Sequence, residues 1–274
     1  MSNKIPSVYL SYTGYKTMRD CPESYYRKYV LRQAPPAEDQ RNFLKGNALH
    51  HMMEAYLDKK ENNPQWLRDA ALTYWEREIE SVKKSKSQFI EWKNKNDEQE
   101  NRELFVEWAN NLADIFIDKK LVPANMHSEF KADSKATAGG ICFKMAGRID
   151  ILMESKSGEY VILDLKASAS KTIKDLDQLV WYCYLAELHL GKPVRYAGYI
   201  MPAFKELDLR EIPQVAKDSL MERVGQALQD IRDEKFDARP ENTKCWFCPV
   251  KFACSAHGGA VNMKSGIVSL GDLI

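Results

Sequence analysis

The segment Ala146-Gly147-Arg148-Ile149-Asp150-Ile151-Leu152-Met153, then Glu154 to Glu159, then Tyr160-Val161-Ile162-Leu163-Asp164-Leu165-Lys166, decides the fold class. Two apolar runs flank a polar turn containing Ser157-Gly158, the pattern of a β-hairpin. A turn centred near residue 157 puts Asp150 opposite Asp164, and opposed Cβ atoms in such a ladder sit about 5 Å apart. Lys166 lies two residues past Asp164, so both side chains leave the same face of the strand. Two carboxylates and an ammonium thus converge on strands otherwise made of Ile149, Ile151, Val161, Leu163 and Leu165. Carboxylates this close repel unless positive charge lies between them. Charges among apolar residues are rarely buried unless paired or bound to metal. A divalent cation resolves the conflict, and an all-oxygen ligand set suits Mg²⁺ or Mn²⁺. A solvated hairpin with an Asp164–Lys166 salt bridge is the simpler alternative, and the apolar residues on both strands weigh against it.

Outward from the hairpin, short β-like runs cover 127–131 and 141–145, besides 148–153 and 160–166. A helix is predicted from about Lys174 to Leu190, ending near Gly191-Lys192-Pro193, followed by a strand over 195–201 and a helix over 215–233. Upstream, 46–121 reads as helical, with Leu104, Trp108, Leu112, Ile115 and Phe116 at helical spacing. Asn62-Asn63-Pro64 interrupts it once and the polar stretch Lys93-Asn94-Lys95-Asn96-Asp97 again. Residues 9–32 form a helix-rich opening around Cys21-Pro22, and Ala34 to Asp39 reads as a linker. The expectation is an α/β core over 122–201 with a helical elaboration over 46–121, within a single domain spanning 1–274.

The chain's 274 residues suffice for a sizeable core. With 40 basic and 39 acidic side chains the net charge is +1, so a nucleic-acid partner cannot be argued from global charge and any basic footprint must be local. No apolar run approaches the length of a membrane span, and Met1-Ser2-Asn3-Lys4-Ile5-Pro6 lacks the apolar stretch of a secretory signal. A cytoplasmic, reducing location is expected, with no membrane partner. There, closely spaced cysteines more often hold metal than form disulfides. Cys245-Trp246-Phe247-Cys248 and, after five intervening residues, Cys254 make a C-x₂-C-x₅-C run that needs a fourth ligand to close a site. Cys142, in a strand, and Cys183, in an apolar helix, read as core residues. No G-x-x-x-x-G-K-[ST] phosphate loop is present, so no helicase motor is encoded. Tyr25, Tyr26, Tyr29 and Trp246, interleaved with Arg27, Lys28, Arg32 and Lys244, would suit either core packing or the gripping of a single strand.

Two weaker signals complete the set. Gly46-Asn47-Ala48-Leu49-His50 opens a helix on which His50 and Glu54 share a face, with His51 as an adjacent competitor that spacing alone does not exclude. Gln178 and Tyr182 share a face of the later helix. Taken in order, Gly46-x-x-x-His50, Gly147-Arg148-Ile149-Asp150, Asp164-Leu165-Lys166 and Gln178-x-x-x-Tyr182 closely resemble the RecB-like branch of the PD-(D/E)XK nucleases.

That resemblance implies a restriction-endonuclease-like core, a mixed sheet flanked by helices. It implies His50, Asp150 and Asp164 as metal ligands, with the Leu165 carbonyl as a further one. Lys166 would orient or activate the attacking water, and Gln178 and Tyr182 would position DNA or support the site. Glu129 matches the upstream carboxylate the family often carries. The family often pairs an early cysteine with a late triplet of this spacing. Cys21 would thus join Cys245, Cys248 and Cys254 in a [4Fe–4S] site, with Zn²⁺ as the alternative, built from 9–32 and 240–260 and joining the N- and C-terminal segments. The implied activity is that of a compact exonuclease resembling the CRISPR adaptation nuclease and phage exonucleases. It would act on single-stranded DNA or DNA ends in recombination, repair or phage DNA processing. The other readings are an adaptation or DNA-binding module that works inside a complex with a helicase, recombinase or adaptation partner, and a zinc-stapled structural protein.

Overall fold

The structure is a computed structural model that describes residues 8–33, 37–60, 62–155, 157–170 and 175–257. Outside these lie the Met1–Pro6 segment, residues 34–36 of the expected linker, Lys174 at the expected start of a helix, and residues 258–260 of the expected cluster region. The strands are β1 Val8–Ser11, β2 Glu38–Asp39, β3 Gln88–Phe89, β4 Met126–Ala138, β5 Ile141–Glu154, β6 Tyr160–Leu165, β7 Tyr196–Met201 and β8 Glu206–Glu211. The helices are α1 Tyr12–Asp20, α2 Pro22–Tyr25, α3 Leu44–Asp58, α4 Gln65–Lys84, α5 Asp97–Asp118, α6 Leu176–Leu190, α7 Gln214–Arg232 and α8 Asn242–Trp246. The chain folds into two compact units, one from residues 1–36, 137–143 and 221–274, the other from 37–136 and 144–220.

The larger unit holds a mixed sheet in the order β5-β6-β7-β8, with β4 paired to β5. β5 and β6 are antiparallel in the register Ile151↔Leu163 to Glu154↔Tyr160, so the next pair outward sets Asp150 opposite Asp164. β6 and β7 run parallel with α6 as the connection, and β8 closes the edge antiparallel to β7. Alternation sorts the two faces of the sheet. Ile151, Val161, Leu163, Leu165 and Ile200 bury themselves in one core with α3, α4 and α5, among them Leu49, Met52, Tyr56, Trp75, Phe105, Trp108 and Phe116. The alternate residues Asp150 and Asp164 are left for the other side. α6 ends at Gly191, whose φ of 67° is the left-handed stop that glycine adopts without steric cost. Its last turns are fixed by Glu187, which accepts from Val194 N at 2.9 Å and from the buried ammonium of Lys217.

The expected strands 141–145 and 148–153 are one continuous strand, because Gly147 stays extended rather than breaking it. The 127–131 run extends to Ala138 and returns through Gly139-Gly140, both at positive φ (55° and 74°), the two-residue turn that matches strand twist. β8 adds a strand beyond those expected, between the 195–201 strand and the 215–233 helix. Its Leu207 and Leu209 alternate with charged residues, as an edge strand should.

In the smaller unit, Ser11 caps α1, its hydroxyl accepting from Gly14 N at 3.1 Å. Tyr26 and Tyr25 stack against Phe236, with ring centroids 4.8 and 6.4 Å away, and Tyr25 packs on Tyr29 at 5.1 Å. Arg27 is buried against Glu23 at 2.7 Å and Gln33 at 3.2 Å. Of the two uses open to this aromatic and basic run, Tyr25, Tyr26, Tyr29 and Arg27 are engaged in packing.

Candidate active site

Four elements of the larger unit converge on one cluster. α3 supplies His50, β4 supplies Glu129, β5 supplies Asp150, and the end of β6 supplies Asp164, Leu165 and Lys166. His50 Nδ1 stands 3.7 Å from Asp150 Oδ2 and 3.8 Å from Glu129 Oε1. These separations are too long for hydrogen bonds. The three ligand atoms all lie within 4.8 Å of one another, so one imidazole nitrogen and two carboxylates could hold an ion together. Asp150 Oδ2 also accepts from the Leu165 backbone N–H at 2.9 Å, which locks that carboxylate to β6.

Asp164 is 1% exposed. Its Oδ2 faces Lys166 Nζ at 2.6 Å, and its Oδ1 accepts from Gln178 Nε2 at 2.9 Å. Gln178 Oε1 in turn accepts from Lys166 Nζ at 2.9 Å, so one amide bridges both ends of the ion pair, and its Nε2 also reaches Tyr182 Oη at 3.4 Å. Beneath the ammonium lies the ring of Tyr199, 5.4 Å from Nζ. Its hydroxyl donates to the Asp175 carbonyl at 3.0 Å, just before α6 begins. Gly147 makes room for this arrangement. A Cβ there would come to 3.0 Å from the side chains of Tyr182 and Leu185, so any other residue would have to push them aside where α6 meets β5.

The electrostatics follow from crowding like charges in a dry place. Burial raises the pKa of Asp150, partly opposed by the charge on His50. Burial and the facing Asp150 raise that of Asp164 against the pull of Lys166. Burial alone would lower the His50 pKa, but Glu129, Asp150 and Asp164 outweigh it and raise it. Glu129 is held low by His50 and, despite its burial, by the charge of Arg148. Two buried oxygens, Asp164 Oδ2 and Glu129 Oε2, have no well-directed hydrogen bond and face only a cation, Lys166 at 2.6 Å and Arg148 at 2.5 Å respectively. Under-satisfied carboxylates around one imidazole are a donor set that fits a hard divalent ion.

His51, the competitor of His50, turns elsewhere. Its Nδ1 lies 3.1 Å from Glu78 Oε2, and Glu78 Oε1 accepts from Asn47 Nδ2 at 3.0 Å. The carboxylate that joins His50 is Glu129, not Glu54. Glu129 has φ of 47° in mid-strand, a conformation non-glycine residues rarely adopt, and such strain concentrates at functional sites. Tyr199 had no sequence signal, being one more aromatic in an apolar strand.

The four candidate cluster cysteines all fall in the smaller unit. Cys21 Sγ accepts from Arg239 N at 3.5 Å, Cys245 Sγ from Glu241 N at 3.3 Å, and Cys248 Sγ lies 3.8 Å from Ser24 Oγ. Cys254 is buried, which raises its pKa, and it senses Glu23, Cys21 and Cys248 as neighbouring charges. Among the described residues no three of these sulfurs lie within 4.8 Å of one another. Four thiolates on one zinc at about 2.3 Å would sit about 3.8 Å apart. Cys183 is buried in α6, whereas Cys142 is exposed on β5 rather than in the core.

No helix among the described residues is long and apolar enough to cross a membrane. No curated protein matches the chain. Among solved structures, one from Eubacterium rectale named "Putative exonuclease" superposes with a TM-score of 0.52 at 13% identity, covering 91% of this chain and 87% of its own. A second, named SSO0001, aligns at 21% identity over 58% of this chain and 79% of its own, with a TM-score of 0.37. The profile of the PD-(D/E)XK nuclease superfamily matches residues 9–255. With that match running nearly end to end over a mixed sheet flanked by helices, the chain belongs to the PD-(D/E)XK nuclease superfamily.

Proposed function

We propose that the chain is a metal-dependent deoxyribonuclease that works as an exonuclease on DNA ends. The observation that carries this reading is the ion pair of the buried Asp164 with Lys166 next to the His50–Glu129–Asp150 group, whose ligand atoms all lie within 4.8 Å of one another. His50, Asp150 and Asp164, with Glu129 and the Leu165 carbonyl, would hold Mg²⁺ or Mn²⁺. A divalent ion supplies Lewis-acid chemistry, lowering the pKa of water and offsetting charge on a phosphoryl group.

The chain's own groups do the rest. Lys166, fixed between Asp164 and Gln178, presents a preoriented ammonium to the developing negative charge and orients the attacking water. Gln178 keeps that ammonium in place, and Tyr182 supports the amide from the same helix face. The four cysteines would hold a [4Fe–4S] cluster with a mainly structural role. Backbone N–H groups directed at two of the sulfurs are the kind of support that metal-bound thiolates receive. Strand opening would come from a partner such as a helicase or recombinase.

The test is incubation of purified protein with end-labelled single- and double-stranded DNA, closed circles and RNA, in Mg²⁺ or Mn²⁺. Linear DNA should be shortened from its ends while circles and RNA survive. EDTA and Asp164→Ala should each stop the reaction. Cleavage of circles would replace the exonuclease reading with an endonuclease one. The absence of cleavage under every condition would remove the enzyme reading.

A further inference from the structure

Beside Glu129 the larger unit carries a hollow of about 470 Å³, lined by Asp58, Lys60, His127, Ser128, Phe130 and Lys131. That size lies within the range of small-ligand sites. Glu129 belongs both to its wall and to the His50–Glu129–Asp150 group, so anything seated there lies one residue from the candidate ion. We propose that this hollow is a subsite for one nucleotide of a single strand, the neighbour of the phosphate under attack. The proposal deepens the nuclease reading and rests on it.

The chemistry of the walls selects that ligand. Phe130 offers an aromatic surface, its ring held by His189 edge-on at 5.6 Å and by His127 at 6.5 Å. His189 is anchored in turn through Nδ1 at 3.0 Å from the Asp133 carbonyl. Lys60 donates one N–H to the Met126 carbonyl at 2.7 Å, which fixes its ammonium at the rim with protons to spare. Lys131 has no carboxylate partner among the described residues. Both acids of the wall are already engaged, Asp58 by the Ser128 hydroxyl and Glu129 by Arg148. Two available ammonium groups beside an aromatic ring match one phosphate and one base. A base can reach such a ring only when it is unstacked from its neighbours, which favours a single strand over a duplex.

The test is fluorescence anisotropy of a labelled oligothymidylate of about a dozen nucleotides, titrated in EDTA so that nothing is cut. Phe130→Leu, which keeps apolar bulk but removes the ring, should weaken binding about tenfold, the scale of one lost base–aromatic stack. Lys131→Ala should reduce the slope of log affinity against log salt by about 0.7, one single-strand phosphate contact. Lys135→Ala, exposed on the same strand outside the hollow, should leave both quantities unchanged. If the wild type hydrolyses DNA while Phe130→Leu and Lys131→Ala bind like it, the subsite is refuted and the nuclease reading stands. An equal loss for blunt duplex and single strand would also refute it, marking a general phosphate contact. A wild type that cuts no nucleic acid but loses single-strand binding in both variants would keep the subsite and remove the nuclease reading.

Discussion

Asp150→Asn should stabilise the metal-free protein and destabilise it, relative to wild type, once metal is added. In the structure Asp150 and Asp164 are opposed on β5 and β6 and both are largely buried. At about 5 Å and an effective dielectric near 20, their repulsion amounts to about 3 kcal/mol. The amide removes that repulsion while its oxygen still accepts from Leu165 N, and the Asp164–Lys166 pair stays intact. Lys166 and His50 already offset part of the repulsion, so a gain of about 1–2 kcal/mol is expected, a rise of a few degrees in Tm for a chain of this size.

The pH dependence gives an independent check. Burial raises the Asp150 pKa above its ordinary 3.8 in the folded state. The folded protein therefore binds the proton more tightly than the unfolded chain. Stability relative to the variant falls as pH rises from the ordinary carboxylate range through the raised value, then levels off. The variant's advantage should thus be small near pH 4 and full at pH 8. Metal at a hundred times its Kd should add about 2.7 kcal/mol to wild type and little to the variant, reversing the order. Urea and thermal unfolding in EDTA and in Mn²⁺, at several pH values, read all of this. A variant less stable than wild type in EDTA at pH 8 would refute the claim that two crowded carboxylates await a cation.

His50→Ala should lose metal-dependent cleavage, whereas His51→Ala, whose ring is tied to Glu78, should be much milder. The opposite ranking in the same assay would move the ligand to His51. Gln178→Met, close in volume but without either hydrogen bond, should lower kcat about a hundredfold with little change in KM, as expected when a catalytic ammonium drifts by about 1 Å. Single-turnover kinetics would expose the alternative, a binding defect. Protein purified without oxygen should be brown and carry about four irons per chain. Serine at Cys21, Cys245, Cys248 or Cys254 should bleach it and serine at Cys142 or Cys183 should not; a colourless protein with one zinc would overturn the cluster. Glu187→Ala should cost about 3–5 kcal/mol, because it strands the buried Lys217 ammonium. Chemical denaturation within 1 kcal/mol of wild type would contradict that.

The hairpin and its register were legible because period-two alternation and a single polar turn admit few pairings, and those pairings alone bring Asp150 to Asp164. The helices were legible for the same reason at a period of 3.6. What stayed hidden depends on the third dimension. His50 and His51 differ by about 100° around α3, and only the docking of that helix decides which ring meets β5. Glu129 was reached only through the family resemblance, being by pattern one acid in a strand of alternating polar residues, and Tyr199 is a tyrosine among apolar neighbours. Their roles come from what lies across the sheet, which no local pattern records. β8 and the Gly139-Gly140 turn do carry local signals, alternating leucines and a glycine pair.

The assembly of the smaller unit constrains how this protein can be made. Its contacts join residues some 220 positions apart, Ser24 to Cys248 and Arg19 to Arg239 among them, while all of the larger unit lies in between. On a ribosome, where domains form as they emerge, the nuclease centre can close once β7 and β8 are out. Tyr25 and Tyr26 must meanwhile wait, their faces uncovered, until Phe236 is synthesised. Ser24 waits longer still for Cys248. Maturation thus has an obligatory late step, and a chain released early would carry an assembled catalytic sheet and an uncovered aromatic cluster, a species suited to chaperone capture rather than to work.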